Sequence, residues 1–432
     1  MKKTVIALAF VLAIILSGAA KAGDVTSSVD VTFYGYVKVD SIYEDAKSLQ
    51  LDYLVWVPPN NLRDGYSPTS GGDYVKNGDD PAFGITARQS RFGFKLKGPT
   101  FGSGGQVLGK FEGDFYGSTY AAGTDSWENK GNFALRIAEV ELKAKSWDLL
   151  AGNDWMVVSP LAPHSSNYTY AAELGNLAYR MPQIRLTTYF LDNKLQVQMA
   201  ANNKIGDYTG FGTFKDIDTG RNSAVPDGEL LIGWDSKLND KPFKLGISGH
   251  YGREVLGGEH NPSVSSYSAN LHFMLPLTKW LSLNGEYYQG ANLDGYYTGG
   301  QGKGWYVDND GHYKPLQDTG GWGEIELGPF ADGKIVLYGG YTWDDADDGE
   351  LKKAASLNNT TTTNPVWQSV TRNQSYYASV HYWVVPKSTD ISLEWMQVDT
   401  KYGLAHPGNY GATAHWDDGI ADRYTLSFWL FF

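Results

Sequence analysis

"RYTLSFWLFF", residues 423–432, ends the chain, and its reading decides the class of fold. At a period of two, Tyr424, Leu426, Phe428, Leu430 and Phe432 fall on one side, and Thr425, Ser427, Trp429 and Phe431 on the other. Such alternation marks a β-strand, because successive side chains of a strand point to opposite faces. A face this apolar needs either a protein core or lipid against it.

The other end of the chain points to lipid. Lys2 and Lys3 precede the apolar run "VIALAFVLAIILSG", and Ala20, Lys21 and Ala22 supply a small-residue cleavage site. Residues 1–22 therefore read as a secretory signal peptide, with Gly23 as the mature N terminus. The run falls short of the roughly 20 apolar residues of a membrane anchor. Charged residues are only 19% and aromatics 14%, with 51 Gly and 29 Tyr, a β-rich profile. No later apolar stretch reaches helix-spanning length, which excludes a helical membrane protein. A mean hydropathy of -0.36 still allows a transmembrane barrel, whose strands alternate lipid-facing apolar with lumen-facing polar residues. The chain has no cysteine, so disulfides and thiol-ligated metal are ruled out. A formal charge of -12, more negative once Lys2, Lys3 and Lys21 leave, argues against nucleic acid as a partner.

From Val31 onward the alternation recurs in segments of about ten residues, and long polar loops alternate with tight turns. "VTFYGYVKVDSIY" is followed by a long loop rich in Gly, Pro, Asn and Asp. "TARQSRFGFKLKG" and "GQVLGKFEGDFYG" are separated only by a short turn, as are "ALRIAEVELKAK" and "WDLLAGNDW". Later pairs turn at "LDNK", "LNDK", "PLTK", "FADG" and "PKS". The expected fold is all-β: one transmembrane antiparallel β-barrel over residues 23–432, with about 16 strands, short periplasmic turns and long extracellular loops. The last strand should pair with the first, leaving no edge and its apolar face against outer-membrane lipid and lipopolysaccharide. Trp147, Trp155, Trp280, Trp383 and Trp395 are candidates for interfacial girdles.

Parity then assigns the lumen. Phe92, Phe94 and Leu96 share the lipid face, which sends Gln89, Arg91, Lys95 and Lys97 inward. Lys110, Glu112 and Asp114 alternate against Val107, Phe111 and Phe115 in the same way, and Glu139, Glu141 and Lys143 against Val140 and Leu142. The assignment carries weight because a Lys or Arg facing lipid at mid-bilayer costs about 2–4 kcal/mol. Gln183 and Arg185 point inward and Arg180 lies near the rim, while Glu286, Glu324 and Glu394 are candidate inward acids. Arg136 has the lipid parity, so it sits beyond the hydrocarbon or past a bulge. One reading of these charges is a basic ladder guiding small anions, with Arg91 and Arg185 taking carboxylates in their guanidinium forks. The other is a solvated wall with a mixed field.

The segments "FYGYVKVD", "ARQSRFGF", "FEGDFYG", "LRIAEVEL" and "LLAGNDW" resemble the successive opening strands of DcaP-like porins of Gram-negative bacteria. The likeness is dense over residues 33–155 and thin beyond them, and "GNDWMVVSPLAP" departs from the Gln-Thr-Trp wording usual in that group. The resemblance implies a homotrimeric outer-membrane channel, export across the inner membrane and uptake of small polar solutes such as organic acids, without a cofactor. It also implies that the terminal Phe432 is read by the barrel-assembly machinery. In general porins the third long loop folds inward to narrow the pore. Here that loop is about Asp154–Gly175, and Asp154, His164 and Glu173 are the constriction candidates that the resemblance supplies.

Enzyme motifs fare worse. "GGQVLGKF" has the spacing of a phosphate loop, but Phe111 stands where magnesium binding needs Ser or Thr, and the alternation makes Lys110 part of a strand. "DDADDGELKKAA" carries Ala346 and Ala355 where a calcium loop needs oxygen ligands. No H-E-x-x-H or G-x-S-x-G occurs, so no catalytic residue and no metal ligand is assigned. The alternatives left open are an 18-stranded substrate-specific channel, a barrel-shaped membrane enzyme and a secreted carbohydrate-binding β protein.

Overall fold

The computed structural model describes residues 29–46, 48, 51–57, 81–102, 104–117, 131–203, 223–255, 262–293, 295, 304–308, 310–351, 370–402 and 418–432. The expected signal peptide lies outside them. The strands are β1 (Asp30–Glu44), β2 (Ala82–Thr86), β3 (Arg91–Phe101), β4 (Gly105–Asp114), β5 (Ala134–Lys143), β6 (Trp147–Trp155), β7 (Arg180–Phe190), β8 (Leu195–Asn202), β9 (Asp227–Leu238) and β10 (Lys241–Val255). They continue as β11 (Ser263–Pro276), β12 (Leu281–Ala291), β13 (Trp305–Val307), β14 (Tyr313–Pro315), β15 (Gln317–Phe330), β16 (Ile335–Ala346), β17 (Val370–Val385), β18 (Thr389–Tyr402) and β19 (Gly419–Phe431).

All but β13 and β14 form one closed antiparallel sheet. β2 and β3 lie end to end beside β1, opposite Asp40–Glu44 and Asp30–Tyr36 respectively, and fill a single position. The 17-stranded sheet is therefore a barrel of sixteen positions, the expected count rather than eighteen. The strand expected across Thr86–Gly98 is interrupted at Ala87–Ser90, where Ser90 N–H bonds back to Ala87 O at 3.0 Å. β13 and β14 make a small hairpin between β12 and β15 that the alternation does not reveal.

Closure occurs where the sequence places it. β19 pairs with β1 from Tyr36 opposite Phe431 to Glu44 opposite Arg423, and Phe432 and Gly35 exchange backbone hydrogen bonds of 3.0 and 3.1 Å. The seam is thus paired along its length, as a lipid environment demands. The apolar face of β19 points outward, with Phe428, Leu430 and Phe432 about half exposed, while Thr425 and Ser427 are buried on the inner side. Phe33 continues that outer surface, stacking on Phe432 at 5.1 Å and meeting Phe94 at 5.4 Å. Among the described residues no helix is long and apolar enough to cross a membrane, and the crossing is made by strands.

The tight turns follow local chemistry. Asn239 and Asp240 join β9 to β10 with φ of 52° and 63°, the left-handed pair that matches the twist of a two-residue hairpin and that Asn and Asp tolerate best. Two of the girdle candidates face the other way. Trp155 turns inward under the Arg180 guanidinium, 4.7 Å from its ring, and Trp383 packs on Phe431 at 5.7 Å, on the lumen side of β19. Trp383 occupies the polar phase of its strand, whereas Trp155 has the outward parity of Leu149 and Ala151 and turns in at the end of β6.

The packed core lies inside the barrel. Leu54, Val57, Ala171, Leu174, Tyr377, Met396 and Val398 form one cluster, and Met156, Val158, Leu177, Met181, Tyr288 and Leu293 another. Each combines wall residues with residues of the first or third long connection, so these two connections enter the lumen.

Candidate functional site: the lumen and its third loop

Sixteen strands about 4.8 Å apart and tilted about 40° enclose a barrel roughly 32 Å across. The eleven-residue advance from Val157 to Tyr168 can reach at most about 40 Å, so this stretch of the third loop is long enough to cross the lumen. It does so in contact with one strand after another. Val157 N–H donates to Glu229 of β9 at 2.7 Å, and Val158 O accepts from Ser248 of β10 at 2.6 Å and Asn270 of β11 at 2.9 Å. The Ser159 hydroxyl and Leu161 N–H (2.8 Å) donate to Glu286 of β12. His164 N–H donates to Glu324 of β15 at 2.7 Å, with its Nδ1 also 2.7 Å from that carboxylate. Ser166 N–H and the Ser165 hydroxyl donate to Glu394 of β18 at 2.8 and 3.1 Å. Lys38 of β1 donates to Ser166 O at 2.6 Å while paired with Asp40 at 3.1 Å and bonded to Gln89.

The inward acids thus have a definite task. Glu286, Glu324 and Glu394 point inward as parity requires, and they hold the loop by its backbone. Glu229 does the same work. The signal for it was its place on the polar phase at the start of "ELLIGWDSK", but nothing in that phase says which acids meet a loop. His164 is held by Glu324 beneath the Tyr338 ring, stacked at 4.4 Å. Burial opposes its charged form, but the hydrogen bond and charge of Glu324 prevail and raise its pKa above the ordinary histidine value.

The loop next meets the side of β3–β5 and then turns back to β15–β17. Its Tyr168 hydroxyl meets Arg136 at 2.9 Å and Asp114 at 2.9 Å, and Tyr170 accepts from Gln89 at 3.3 Å. Burial disfavours the Tyr170 phenolate, yet Arg91, Arg136 and Lys38 around it bring its pKa below the ordinary value. Gly175, at φ 110°, brings the loop so close to the β15 and β16 backbones that an added Cβ would stand 2.3 Å from Trp343 O and 2.4 Å from Gly321 O. Glu173 is buried on the wall side, its carbonyl accepting from Asn373 of β17 at 2.8 Å. Asp154, placed on the loop by the sequence, belongs to strand β6.

The irregular parity of Arg136 is a bulge. The β4–β5 register slips between Glu112, opposite Ile137, and Gly113, opposite Leu135, leaving Arg136 as the extra residue. The slip swings its side chain into the lumen wall, where it is 1% exposed. There it binds Glu112 at 3.1 Å and Asp114 at 2.8 Å, while Arg91 stands 3.7 and 3.8 Å from the same two carboxylates. Two guanidiniums facing two carboxylates make a compensated cluster. Arg185 likewise binds Asp154 at 2.7 Å, and Lys110 lies 3.9 Å from Glu112. The carboxylates in the Arg91 and Arg185 forks are the protein's own. Lys95 rests on the Tyr34 ring at 4.9 Å, and both Lys95 and Lys97 are exposed to the lumen. Neither has a carboxylate within ion-pair distance among the described residues.

Sequence reading also missed the apolar run "LDYLVWV" of the first long loop, whose Leu54 O accepts from Asn167 at 2.8 Å and whose Val57 N–H donates to Thr400 at 3.0 Å. Seven mostly apolar residues inside a polar loop were the available signal. For metals, Asp308, Asp310 and His312 bring ligand atoms within 4.8 Å of one another on the β13–β14 hairpin. Asp308 there accepts the backbone N–H groups of Asp310 and His312, which accounts for the grouping as a turn.

No protein-family model matches the chain, and no curated protein matches it by sequence. Solved structures do. The outer membrane channel DcaP of Acinetobacter baumannii is similar with a TM-score of 0.70 at 16% identity, over 95% of this chain and 100% of that one. The anion-selective porin from Comamonas acidovorans is similar at 0.55 and 11% identity, over 94% of this chain and 100% of that one. A trimer form of the outer membrane protein OmpT of Vibrio cholerae is similar at 0.50 and 11% identity, over 94% of this chain and 100% of that one. The chain has the closed porin-type barrel that it shares with the DcaP channel and the Comamonas porin.

Proposed function

We propose that the protein is a passive channel of the Gram-negative outer membrane through which small hydrophilic solutes diffuse, with small carboxylates favoured over cations. One observation carries the reading: wall carboxylates stitch the third loop across the lumen, while Lys95 and Lys97 of β3 and Glu141 and Lys143 of β5 keep side chains open to solvent. Such a constriction selects by size and by the charges beside it. The anion preference rests on Lys95 and Lys97, since Arg91, Arg136 and Arg185 already face the protein's own carboxylates. Export through the residue 1–22 signal peptide, recognition of Phe432 by the assembly machinery and a homotrimeric state belong to the same proposal, the last supported by the trimeric OmpT form. Diffusion requires no cofactor and no catalytic residue.

Single-channel recording in a planar bilayer under a salt gradient tests the reading. Stable conductance with an anion-biased reversal potential is expected, and Lys95→Gln with Lys97→Gln should move that potential toward cations. A potential indifferent to the double change would refute the anion preference, and a folded barrel that passes no current would refute the channel.

A further inference from the structure

A cavity of about 270 Å³ lies between β5–β8 and the start of the third loop. Its floor is one cross-strand row. Glu141 lies opposite Leu150, and Leu150 opposite Arg185, so an acid and a guanidinium flank a leucine at one strand spacing on either side, about 10 Å apart at their Cα atoms. Trp155, Met156 and Pro160 also line the cavity, with Thr187, Tyr189 and Gln198, so apolar groups stand between and beside the two charges within a lining that is otherwise polar.

The charges differ in how far they are committed. One row toward the periplasm, Lys143 and Asp148 close on each other at 2.7 Å, and the Tyr189 hydroxyl adds a bond of 2.6 Å to the same carboxylate. Arg185 spends one terminal nitrogen on Asp154 at 2.7 Å and the other on Trp155 O at 3.3 Å, which leaves donors among the five of its fork. Glu141 has Lys143 at 3.5 Å and a side chain 23% exposed. A simple anion entering here meets Glu141, and a simple cation meets Arg185. A molecule carrying both charges with an apolar body satisfies the two flanks and the floor at once.

We propose that this cavity is a subsite for small zwitterions, specifically amino acids with apolar side chains, whose carboxylate meets Arg185, whose ammonium meets Glu141 and whose side chain lies over Leu150. The volume is slightly below that of pockets for drug-sized ligands and fits a smaller guest. The inference rests on the channel reading and narrows its solute class at one point of the path.

Leucine, isocaproate (leucine without its ammonium) and isoamylamine (leucine without its carboxylate) are added in turn to the wild-type protein in a planar bilayer, and blockade of the ion current is titrated. Leucine should block at about a tenfold lower concentration than either analogue, the scale of one lost charge-assisted bond. In Glu141→Gln its advantage over isocaproate should shrink to about twofold or less. Isocaproate blocking as well as leucine in the wild type, or a conducting pore that leucine does not interrupt, would overturn the subsite and leave the channel standing. A folded protein that carries no current would overturn both.

Discussion

Replacing Glu286 and Glu394 together by Ala should free the third loop from the far wall. Glu286 receives Leu161 N–H at 2.8 Å and the Ser159 hydroxyl, and Glu394 receives Ser166 N–H at 2.8 Å and the Ser165 hydroxyl at 3.1 Å. A hydrogen bond to a charged group contributes about 1.5–3 kcal/mol, so the two N–H bonds alone account for about 3–6 kcal/mol. The hydroxyls can turn to lumen water and are left out. Removing two buried carboxylates also relieves the cost of desolvating them, which favours the lower end, about 3 kcal/mol. That is roughly a hundredfold in the docking equilibrium of the loop. Single-channel recordings of the double variant should therefore show a larger mean conductance and frequent transitions between levels, with the barrel still resistant to unfolding in detergent at room temperature. Glu286→Gln with Glu394→Gln keeps an acceptor without its charge and should fall between. Conductance and noise identical to the wild type in the alanine variant would refute the assignment of these acids as tethers.

Three further outcomes follow from particular contacts. Arg136→Met leaves Glu112 with Arg91 at 3.7 Å and Lys110 at 3.9 Å, and Asp114 with Arg91 at 3.8 Å; breaking such a buried pair costs about 3–5 kcal/mol, read as a lower urea midpoint for unfolding from lipid vesicles, and an unchanged midpoint would show that the cluster does not need its bulge residue. Gly175→Ala forces a Cβ within 2.3 Å of Trp343 O at a φ of 110°, so the loop should be displaced and cut faster by protease in the folded barrel; wild-type cleavage would contradict the close approach. The raised pKa of His164, set against burial by Glu324 with Glu326 nearby, means that its hold on the loop is complete below the ordinary value near 6.5 and is lost as pH rises through the raised one. Channel noise should accordingly grow on the alkaline side in the wild type and be flat with pH in His164→Asn.

The barrel was legible because lipid enforces parity at each position. In "RYTLSFWLFF" and "RFGFKLK" a misplaced charge would face hydrocarbon, so the face of each side chain can be read without knowing its neighbours. The same rule exposed Arg136 as an exception, and a bulge is one of the two explanations parity allows. Inside the lumen no such rule applies. Water tolerates charge, loop and wall alike, so the sequence could place Glu286, Glu324 and Glu394 on the inner face but could not say that each binds loop backbone. Trp155 and Trp383 misled for a related reason: a tryptophan near a strand end suits the membrane interface, yet it also suits a half-wet lumen. The Leu51–Val57 run was the readable clue to the first loop's inward course, since a solvated loop has no use for it.

The electrostatics of the wall turn on this difference between face and partner. Arg91, Lys95, Lys97, Lys110 and Arg185 read as a ladder when counted along their strands, because the acids that answer Arg91, Lys110 and Arg185 lie on neighbouring strands or two residues along. Register brings Glu112, Asp114 and Asp154 into the forks, and the field that a solute meets is set by what is left over. Lys95 and Lys97 on β3 are left over on one side, and on the other the spare donors of Arg185 and the partly exposed Glu141. On the proposed channel reading, these few groups rather than the total of basic residues set the selectivity.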